Sequence, residues 1–299
     1  MLDDSKTASM TVGILHPGAM GASVAAAARA GGSTVVWASD GRSPATTGRA
    51  EAAGLEDAGS LARLCERASI VLSICPPDAA EALAETVIAT GFDGIFVDAN
   101  AIAPERARRI AGRIEAAGAR YVDGGLIGPP ATAPGTTRLY LSGGAAAQVA
   151  ALFGGSMLEA RVLDATPDRA SALKMCYAAH TKGLTALRCA LVAAAERLGV
   201  REALFEQWAG ENAGKPDQIA EGIRGVTAKA WRFEGEMREI AATLEAAGLP
   251  GGFHLAAADL YGRLAGFKDA DGTPPLDAVL AALAGQGSEP DDRQAMAGE

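Results

Sequence analysis

Met10-Thr11-Val12-Gly13-Ile14-Leu15-His16-Pro17-Gly18-Ala19-Met20-Gly21 runs directly into an alanine-rich stretch at 22–29. The apolar run 12–15 has strand character, the next residues have turn chemistry, and small residues then open a helix. This strand–turn–helix order is the context in which a dinucleotide's pyrophosphate is cradled. Glycines serve such a turn because the backbone bends tightly, phosphate approaches bare N–H groups, and the helix packs closely on the sheet. His16-Pro17-Gly18-Ala19-Met20-Gly21 keeps the second and third glycines of GxGxxG and places His16 where the first belongs. His16, Pro17, Gly18, Ala19 and Met20 are therefore the first candidate cofactor residues. The short pattern is also that of an ordinary tight turn, so its neighbours decide.

Gly31-Gly32 stops the first helix, and residues 33–38, rich in β-branched side chains, read as a second strand. A carboxylate at this strand end holds the two ribose hydroxyls of NAD. Here Ala38 is followed by Ser39-Asp40-Gly41-Arg42-Ser43. Hydroxyls with a guanidinium suit a 2′-phosphate, so the reading is NADP through Ser39, Arg42 and Ser43. One residue of slippage brings Asp40 to the ribose and admits NAD.

Residues 60–68 read as a short helix and 69–75 as a buried parallel strand stopped by Pro76-Pro77. A helix at 79–90, a strand at 94–98 and a helix opening at Ala103-Pro104 follow. Strands at 120–123 and 138–141 close the series, joined by a loop through Gly124-Gly125-Leu126-Ile127-Gly128-Pro129-Pro130. The alternation predicts an α/β doubly wound, mostly parallel sheet whose ligands gather outside the strands' carboxyl ends. Cys75, Pro76, Pro77, Asn100 and the 124–129 loop fall at such ends. Pro76-Pro77 also reads as a plain strand stop, Asn100 as an Asx-turn former and Cys75 as a small apolar filler.

Thr166-Pro167-Asp168 carries helix-start chemistry: a capping hydroxyl, proline at the first position and a first-turn carboxylate. The helix runs to Leu198, with Gly199 as its stop, and spans on the order of 48 Å. Lys174 lies in it among Leu173, Met175, Cys176, Tyr177 and Ala178. A lysine on a helix is ordinarily a solvated charge. This apolar setting predicts partial burial, which lowers the pKa toward a range useful for proton transfer. Tyr177, Ala178, Thr181 and Lys182 share its face, and Gly183 admits a close ligand or neighbouring helix. Further helices are predicted at 201–209, 217–222, 227–247, 252–264 and 276–284. Trp208, Trp231, Phe233, Phe253 and His254 are assigned to a core or subunit interface, with a border on the substrate as the alternative for one of them. The domain reading is 10–165 for the α/β domain, 166–284 for an all-α domain and 285–299 for a polar, disordered tail.

At 299 residues with formal charge −9, 36 acidic against 27 basic side chains and 49% hydrophobic content, the chain is a globular protein of acidic surface. Nucleic acid is not an expected partner. Four cysteines and three histidines are scattered without metal-ligand spacing, so no metal is assigned and the thiols are read as reduced. No run is apolar enough to span a membrane, and the N-terminus lacks signal-peptide character, so the expected location is the cytoplasm.

With these stretches placed, the sequence resembles the β-hydroxyacid dehydrogenase and 6-phosphogluconate dehydrogenase superfamily. It is similar to a branch with an NAD(P)-binding Rossmann domain and a phosphogluconate-dehydrogenase-like C-terminal domain, formerly of unknown function. The resemblance covers roughly residues 10–284 and rests on VGILHPGAMG, SICPP, VDANAIAP, VDGGLIGPP and ASALKMCYAAHTKG. It implies that Gly18, Ala19 and Met20 present N–H groups to the pyrophosphate, that Ser39 and Arg42 meet the adenosine end, and that Lys174 is the acid–base lysine. Where the family's loop places a serine and two glycines for the substrate carboxylate, this sequence has Ile127, Gly128 and Pro129. Ala178 replaces its asparagine one turn after the lysine, and Asn100 resembles the asparagine of the phosphogluconate enzymes.

The resemblance implies an NADP-dependent dehydrogenase or reductase acting on a small carbonyl or β-hydroxy compound. Lys174 and Asn100 are the catalytic candidates; Gly124, Gly125, Ile127, Gly128, Tyr177, Ala178, His180 and Thr181 are the substrate-side candidates. The alternatives are an imine reductase on the same scaffold and a non-catalytic NADP-binding protein. A homodimer through the helical domain is expected from the family architecture.

Overall fold

The computed structural model describes residues 10–268 and 270–285. The predicted tail at 285–299 lies, after Gly285, outside the described residues. The described chain forms two compact units, the first ending at Tyr177 and the second beginning at Ala178.

In the first unit, β1 (Thr11–Ile14), α1 (Ala19–Ala30), β2 (Thr34–Trp37), α2 (Pro44–Ala52), β3 (Glu56–Asp57), α3 (Leu61–Arg67) and β4 (Ile70–Ser73) come first. After a 3-10 turn (Pro77–Ala79) follow α4 (Ala80–Ile88), β5 (Ile95–Asp98), α5 (Pro104–Ala116), β6 (Arg120–Ile127), β7 (Thr137–Ser142), α6 (Ala146–Ala151) and β8 (Leu158–Val162). The eight strands make one sheet in the order β3-β2-β1-β4-β5-β6-β7-β8. Every neighbouring pair is parallel except β6 with β7. The predicted doubly wound, mostly parallel sheet is thus the observed fold.

Its strands are apolar on both faces because both are covered. Val12, Ile14, Ile70, Leu72, Ile95 and Val97 pack with Val24, Ala25, Ala28, Val149 and Phe153 on one side. Val36, Val71 and Phe96 pack with Leu64, Val87, Ile110 and Ile114 on the other. The period of two assigns consecutive residues to opposite layers. Gly13 sits where a Cβ would lie 2.5 Å from Leu64 Cδ2, so its missing side chain lets α3 lie close to β1.

Two local readings are corrected. Gly124, Gly125 and Ile127 belong to β6, not to a loop: β6 pairs in parallel with β5 through Asp123 and continues antiparallel to β7 from Asp123↔Ser142 to Ile127↔Arg138. Glycine is tolerated inside this strand because other chain approaches it closely; a Cβ at Gly124 would stand 3.1 Å from Ala99 Cβ. The long helix α7 (Arg169–Arg197) begins at Arg169 rather than at Pro167. Thr166 and Asp168 form a tight turn instead, with Thr166 N donating to Asp164 Oδ1 at 2.7 Å and Asp168 N to Thr166 O at 2.9 Å. The Asp168 carboxylate, buried, pairs with Arg108 of α5.

In the second unit, the later part of α7 is followed by α8 (Arg201–Glu211), α9 (Lys215–Gly225), α10 (Thr227–Ala246), α11 (Gly252–Arg263) and α12 (Leu276–Ala284). Gly199, at φ +69°, ends α7 in the left-handed conformation that glycine adopts freely, and Val200 N closes the cap on Ala195 O at 2.9 Å. Met237, Ile240, Ala258, Tyr261, Val279 and Leu283 are core residues. Among the aromatic residues assigned to a core or interface, His254 is buried, Trp208, Trp231 and Phe233 are half-buried, and Phe253 is exposed. Lys182 is paired with Glu236 and stacked 4.2 Å from the Phe233 ring, and Tyr261 Oη donates to Lys182 O at 2.7 Å.

Candidate active site

The first βα turn is built tightly. Leu15 N donates to Leu72 O at 3.1 Å, Gly18 N donates to His16 O at 2.8 Å, and Ala22 N donates to Gly18 O at 2.8 Å as the first helical bond of α1. A Cβ on Gly21 would stand 2.1 Å from His16 O, so only glycine fits where α1 crosses the turn. A Cβ on Gly18 would meet nothing within 4 Å. No side chain caps α1 and no carboxylate lies in its first turn. The N–H groups of Ala19, Met20 and Gly21 therefore leave an electropositive helix end in front of the turn, which suits a pyrophosphate.

Two guanidiniums brace this turn from the segment after β2. Arg42 Nη2 donates to Leu15 O at 3.1 Å, and Arg49 Nε donates to Pro17 O at 3.1 Å while its Nη2 reaches Thr46 Oγ1 at 3.0 Å. Between them, burial and then the Arg42 charge push the His16 imidazole down to about 4, so it is neutral at physiological pH. Arg49 escaped the sequence reading; the signal available was a second arginine seven residues beyond Arg42.

Ser39 N donates to Asp57 Oδ1 at 3.3 Å, and Asp40 N donates to Gly59 O at 2.9 Å. Asp57, a second residue the sequence reading missed, lies below the ordinary carboxylate range, chiefly through its bond from the Ser39 side chain. Ser43 caps α2, accepting from Thr46 N at 3.4 Å. A hydroxyl and a guanidinium thus flank the end of β2, with Asp57 beside them.

The ends of β4 and β5 are tied by Asn100. Its Oδ1 accepts from Cys75 N at 2.6 Å, its Nδ2 donates to Ser73 Oγ at 3.0 Å, and its backbone N–H donates to Asp98 Oδ1 at 3.0 Å. Asn100 is buried, with its side chain engaged on both functional groups. Burial raises Asp98 to about 7, aided by the charge of Asp123, its register partner on β6. The Cys75 thiol is pushed up to about 12 by burial and by Asp98, which makes it an unreactive filler. Pro76 and the buried Pro77 turn the chain away from the sheet.

β6 carries the approach to α7. A Cβ on Gly125 would stand 2.6 Å from Ala170 O and 3.2 Å from Lys174 Cβ. Lys174 is half-buried, and its Nζ donates to Leu126 O at 2.6 Å. Ile127 is half-buried and Gly128 exposed. At Gly128, φ is +124° and a Cβ would stand 2.2 Å from Thr136 O, which requires glycine. Beyond Lys174, Tyr177 is exposed; in the second unit Ala178 is buried, His180 exposed and Thr181 half-buried.

In the first unit, the candidates at 16–20, 39–43, 75–77, 100 and 124–128 lie along the carboxyl ends of β1, β2, β4, β5 and β6, together with Lys174. β1 and β4 are neighbours at the point where the strand order reverses, the position at which doubly wound sheets hold their ligands. Among the described residues, no group of three or more His, Cys, Asp or Glu side chains is placed to hold a metal ion.

Residues 11–154 match the NAD binding domain of 6-phosphogluconate dehydrogenase. Residues 195–264 match a domain of unknown function, DUF1932. The chain thus carries an NAD-binding domain of the 6-phosphogluconate dehydrogenase type followed by a DUF1932 domain. No curated protein matches it. Among solved structures, it is similar to the conserved protein MTH1747, of unknown function and described as similar to 3-hydroxyacid dehydrogenases. That likeness has 26% identity and a TM-score of 0.62 over 85% of this chain and 98% of that one. Mycobacterium tuberculosis 3-hydroxyisobutyrate dehydrogenase with L-serine shares the fold at 19% identity and a TM-score of 0.64, over 91% and 98% of the two chains. The reductive aminase of Aspergillus terreus, with NADPH4, cyclohexanone and allyl amine, shares it at 20% identity and a TM-score of 0.53, over 91% and 98%. A domain of this type binds NAD(P), and the uncapped α1 end and the Cβ-free face of Gly18 fit that group.

Proposed function

We propose that the protein is an NADP-dependent oxidoreductase that interconverts a small carbonyl compound and its β-hydroxy counterpart. The observation that carries the reading is Lys174: a half-buried ammonium, held at 2.6 Å by Leu126 O, at the carboxyl rim of the sheet that carries the dinucleotide turn. When bound, a reduced nicotinamide supplies the hydride that forms the new C–H bond. Lys174 gives its proton to the carbonyl oxygen as that bond forms; in the oxidative direction its neutral amine takes the hydroxyl proton. Gly18, Ala19 and Met20 line the pyrophosphate, Asn100 orients the loops beside the nicotinamide, and Gly124 and Gly125 keep the strand backbone open to substrate. Arg42, with Ser39 and Arg49, supports NADP over NAD, because paired guanidinium donors match a 2′-phosphate.

A second reading, imine reduction, is favoured by the rim of β6, where Ile127, Gly128 and Pro129 stand in place of the serine and two glycines that the family's loop uses for a substrate carboxylate. An iminium substrate already carries its proton and needs less from Lys174.

Residues 10–165 form the cofactor domain of this proposal and 166–284 the helical one. In the second unit, Leu184, Leu187, Leu191, Ala194 and Leu198 of α7 point outward at alternating spacings of three and four, the seam of a helix pair, which supports a homodimer. No helix among the described residues is long and apolar enough to cross a membrane. Four free cysteines support a reducing, cytoplasmic setting.

The test is Lys174→Ala, assayed with NADPH against semialdehydes and cyclic imines. Loss of roughly 100-fold or more in kcat on the carbonyl, with cofactor affinity unchanged, supports the proton-transfer role. Activity within a few-fold of wild type on carbonyls removes it.

A further inference from the structure

We propose that Asp123 is the positioning residue for Lys174: its buried carboxylate clamps the first turn of α7 onto β6 and thereby sets where the ammonium lies. Asp123 Oδ2 accepts from Ser171 N at 2.8 Å and from Ser142 Oγ at 3.1 Å, and its Oδ1 accepts from Ser171 Oγ at 2.6 Å. Ser142 Oγ in turn accepts from Ala170 N at 3.1 Å. Two first-turn N–H groups of α7 are thus held by side chains of β6 and β7, reaching across 48 and 28 residues of sequence. A carboxylate suits this end of a helix because the aligned peptide dipoles leave it positive.

The clamp reaches Lys174 by geometry. Ser171 and Lys174 are three residues apart and share a helix face. Asp123 and Gly125 are two apart on β6 and share a strand face. The strand therefore meets the helix at three successive places: Asp123 on Ser171, Gly125 against Ala170 and Lys174, and the Leu126 carbonyl on Lys174. The missing Cβ at Gly125 lets the helix approach, and the clamp at Asp123 keeps it there. Without the clamp the Ser171 and Ala170 N–H groups lose their acceptors, the first turn lifts, and Lys174 leaves the Leu126 carbonyl.

Only the consequence for turnover rests on the proton-transfer reading of Lys174, so the decisive measurement does not use activity. The full-length protein is reductively methylated with limiting formaldehyde and borohydride, and Lys174 is quantified by peptide mass spectrometry against Lys229 and Lys268, which are exposed. In both Asp123→Asn and Ser142→Ala, the relative labelling of Lys174 rises by roughly three- to tenfold. Ser142→Ala keeps the Asp123 charge, so it separates clamping from a purely electrostatic influence. It also decides the case if Asp123→Asn unfolds and raises every lysine together. Unchanged Lys174 labelling in folded Asp123→Asn overturns the proposal; if that variant unfolds, unchanged labelling in folded Ser142→Ala, which frees the Ala170 N–H, overturns it instead. If the wild-type protein turns over a carbonyl, folded Asp123→Asn lowers kcat with the KM for NADPH unchanged, and adds no further loss in the Lys174→Ala background. A protein that reduces no carbonyl or imine removes the proposed activity and leaves the labelling result standing.

Discussion

The Asn100 carboxamide oxygen lies 2.6 Å from the backbone nitrogen of Cys75 and accepts its N–H, joining the ends of two parallel strands across 25 residues of sequence. The same side chain donates to Ser73 Oγ, so Asn100 orients backbone rather than standing free to act on a substrate. Asn100→Ala removes the acceptor of the Cys75 N–H and one partner of the buried Ser73 hydroxyl. A loss of about 1–3 kcal/mol in unfolding free energy is expected by urea denaturation. Weaker NADPH binding should accompany it in a fluorescence titration, because Cys75-Pro76 moves with the bond.

Asp98 gives stability a defined pH dependence. Its folded value is raised to about 7 from 3.8, and it is wholly buried. A carboxyl raised in this way contributes stability that is fully present below about pH 4 and is lost as pH rises through about 7, because the folded protein must then hold a buried charge. Between those limits the unfolding free energy should fall by up to a few kcal/mol. Asp98→Asn, which keeps an acceptor for Asn100 N, should flatten the slope and raise stability at pH 8. An unchanged slope in urea melts across that range would remove Asp98 as its source.

The arginine brace predicts cofactor selectivity. Arg42 and Arg49 hold the carbonyls of Leu15 and Pro17, on either side of His16. Arg42→Ala should weaken NADPH binding by roughly tenfold more than NADH binding, since loss of the Leu15 contact costs both cofactors while the guanidinium has a phosphate to meet in one cofactor alone. Equal weakening of both, measured by titration, would mean that Arg42 serves the turn and not the 2′-phosphate.

Much of this was legible in the chain. The strands of β1, β4 and β5 announce themselves as apolar runs because both faces are covered, and the Gly18 and Gly21 spacing marks the turn. Three things were not legible. β3 and β8 carry charged residues at the sheet's two edges, where burial imposes no pattern on the sequence. The second half of β6, 124–127, hides behind Gly124 and Gly125, whose reason is a close neighbour and not a turn. Asp57, Arg49 and Asp123 act on partners 18, 32 and 48 residues away, and no local spacing encodes such contacts.

The crowding at Gly21 holds whatever reaction the site runs. Its Cβ position lies 2.1 Å from a backbone oxygen, His16 O, which cannot step aside as a flexible side chain could. Gly21→Ala must therefore move α1 off the turn, carrying the Ala19 and Met20 N–H groups with it. Loss of NADP and NAD binding together is expected by calorimetry, with a destabilisation of about 1–3 kcal/mol from overpacking. Gly18→Ala meets no protein atom within 4 Å, so it should leave the melting temperature unchanged. If the pyrophosphate occupies that open face, Gly18→Ala still loses affinity. Full cofactor affinity in Gly18→Ala would place the phosphates elsewhere.

The outer face of α7 carries an exposed leucine seam. Leu191 and Leu198 are 45% and 75% exposed, and Leu184 and Leu187 continue the same line at spacings of seven and four residues from Leu191. Leucines recurring every three and four residues on one helix face are the pattern of a helix packed on another, and a copy of the same helix satisfies it by symmetry. Leu187→Glu with Leu191→Glu places charges in the middle of that face and disturbs no buried side chain. The double variant should elute as a monomer in size exclusion with light scattering at micromolar concentration, against a wild-type dimer. A wild-type monomer, or a dimer unaffected by the two charges, would show that this seam is not where the copies meet.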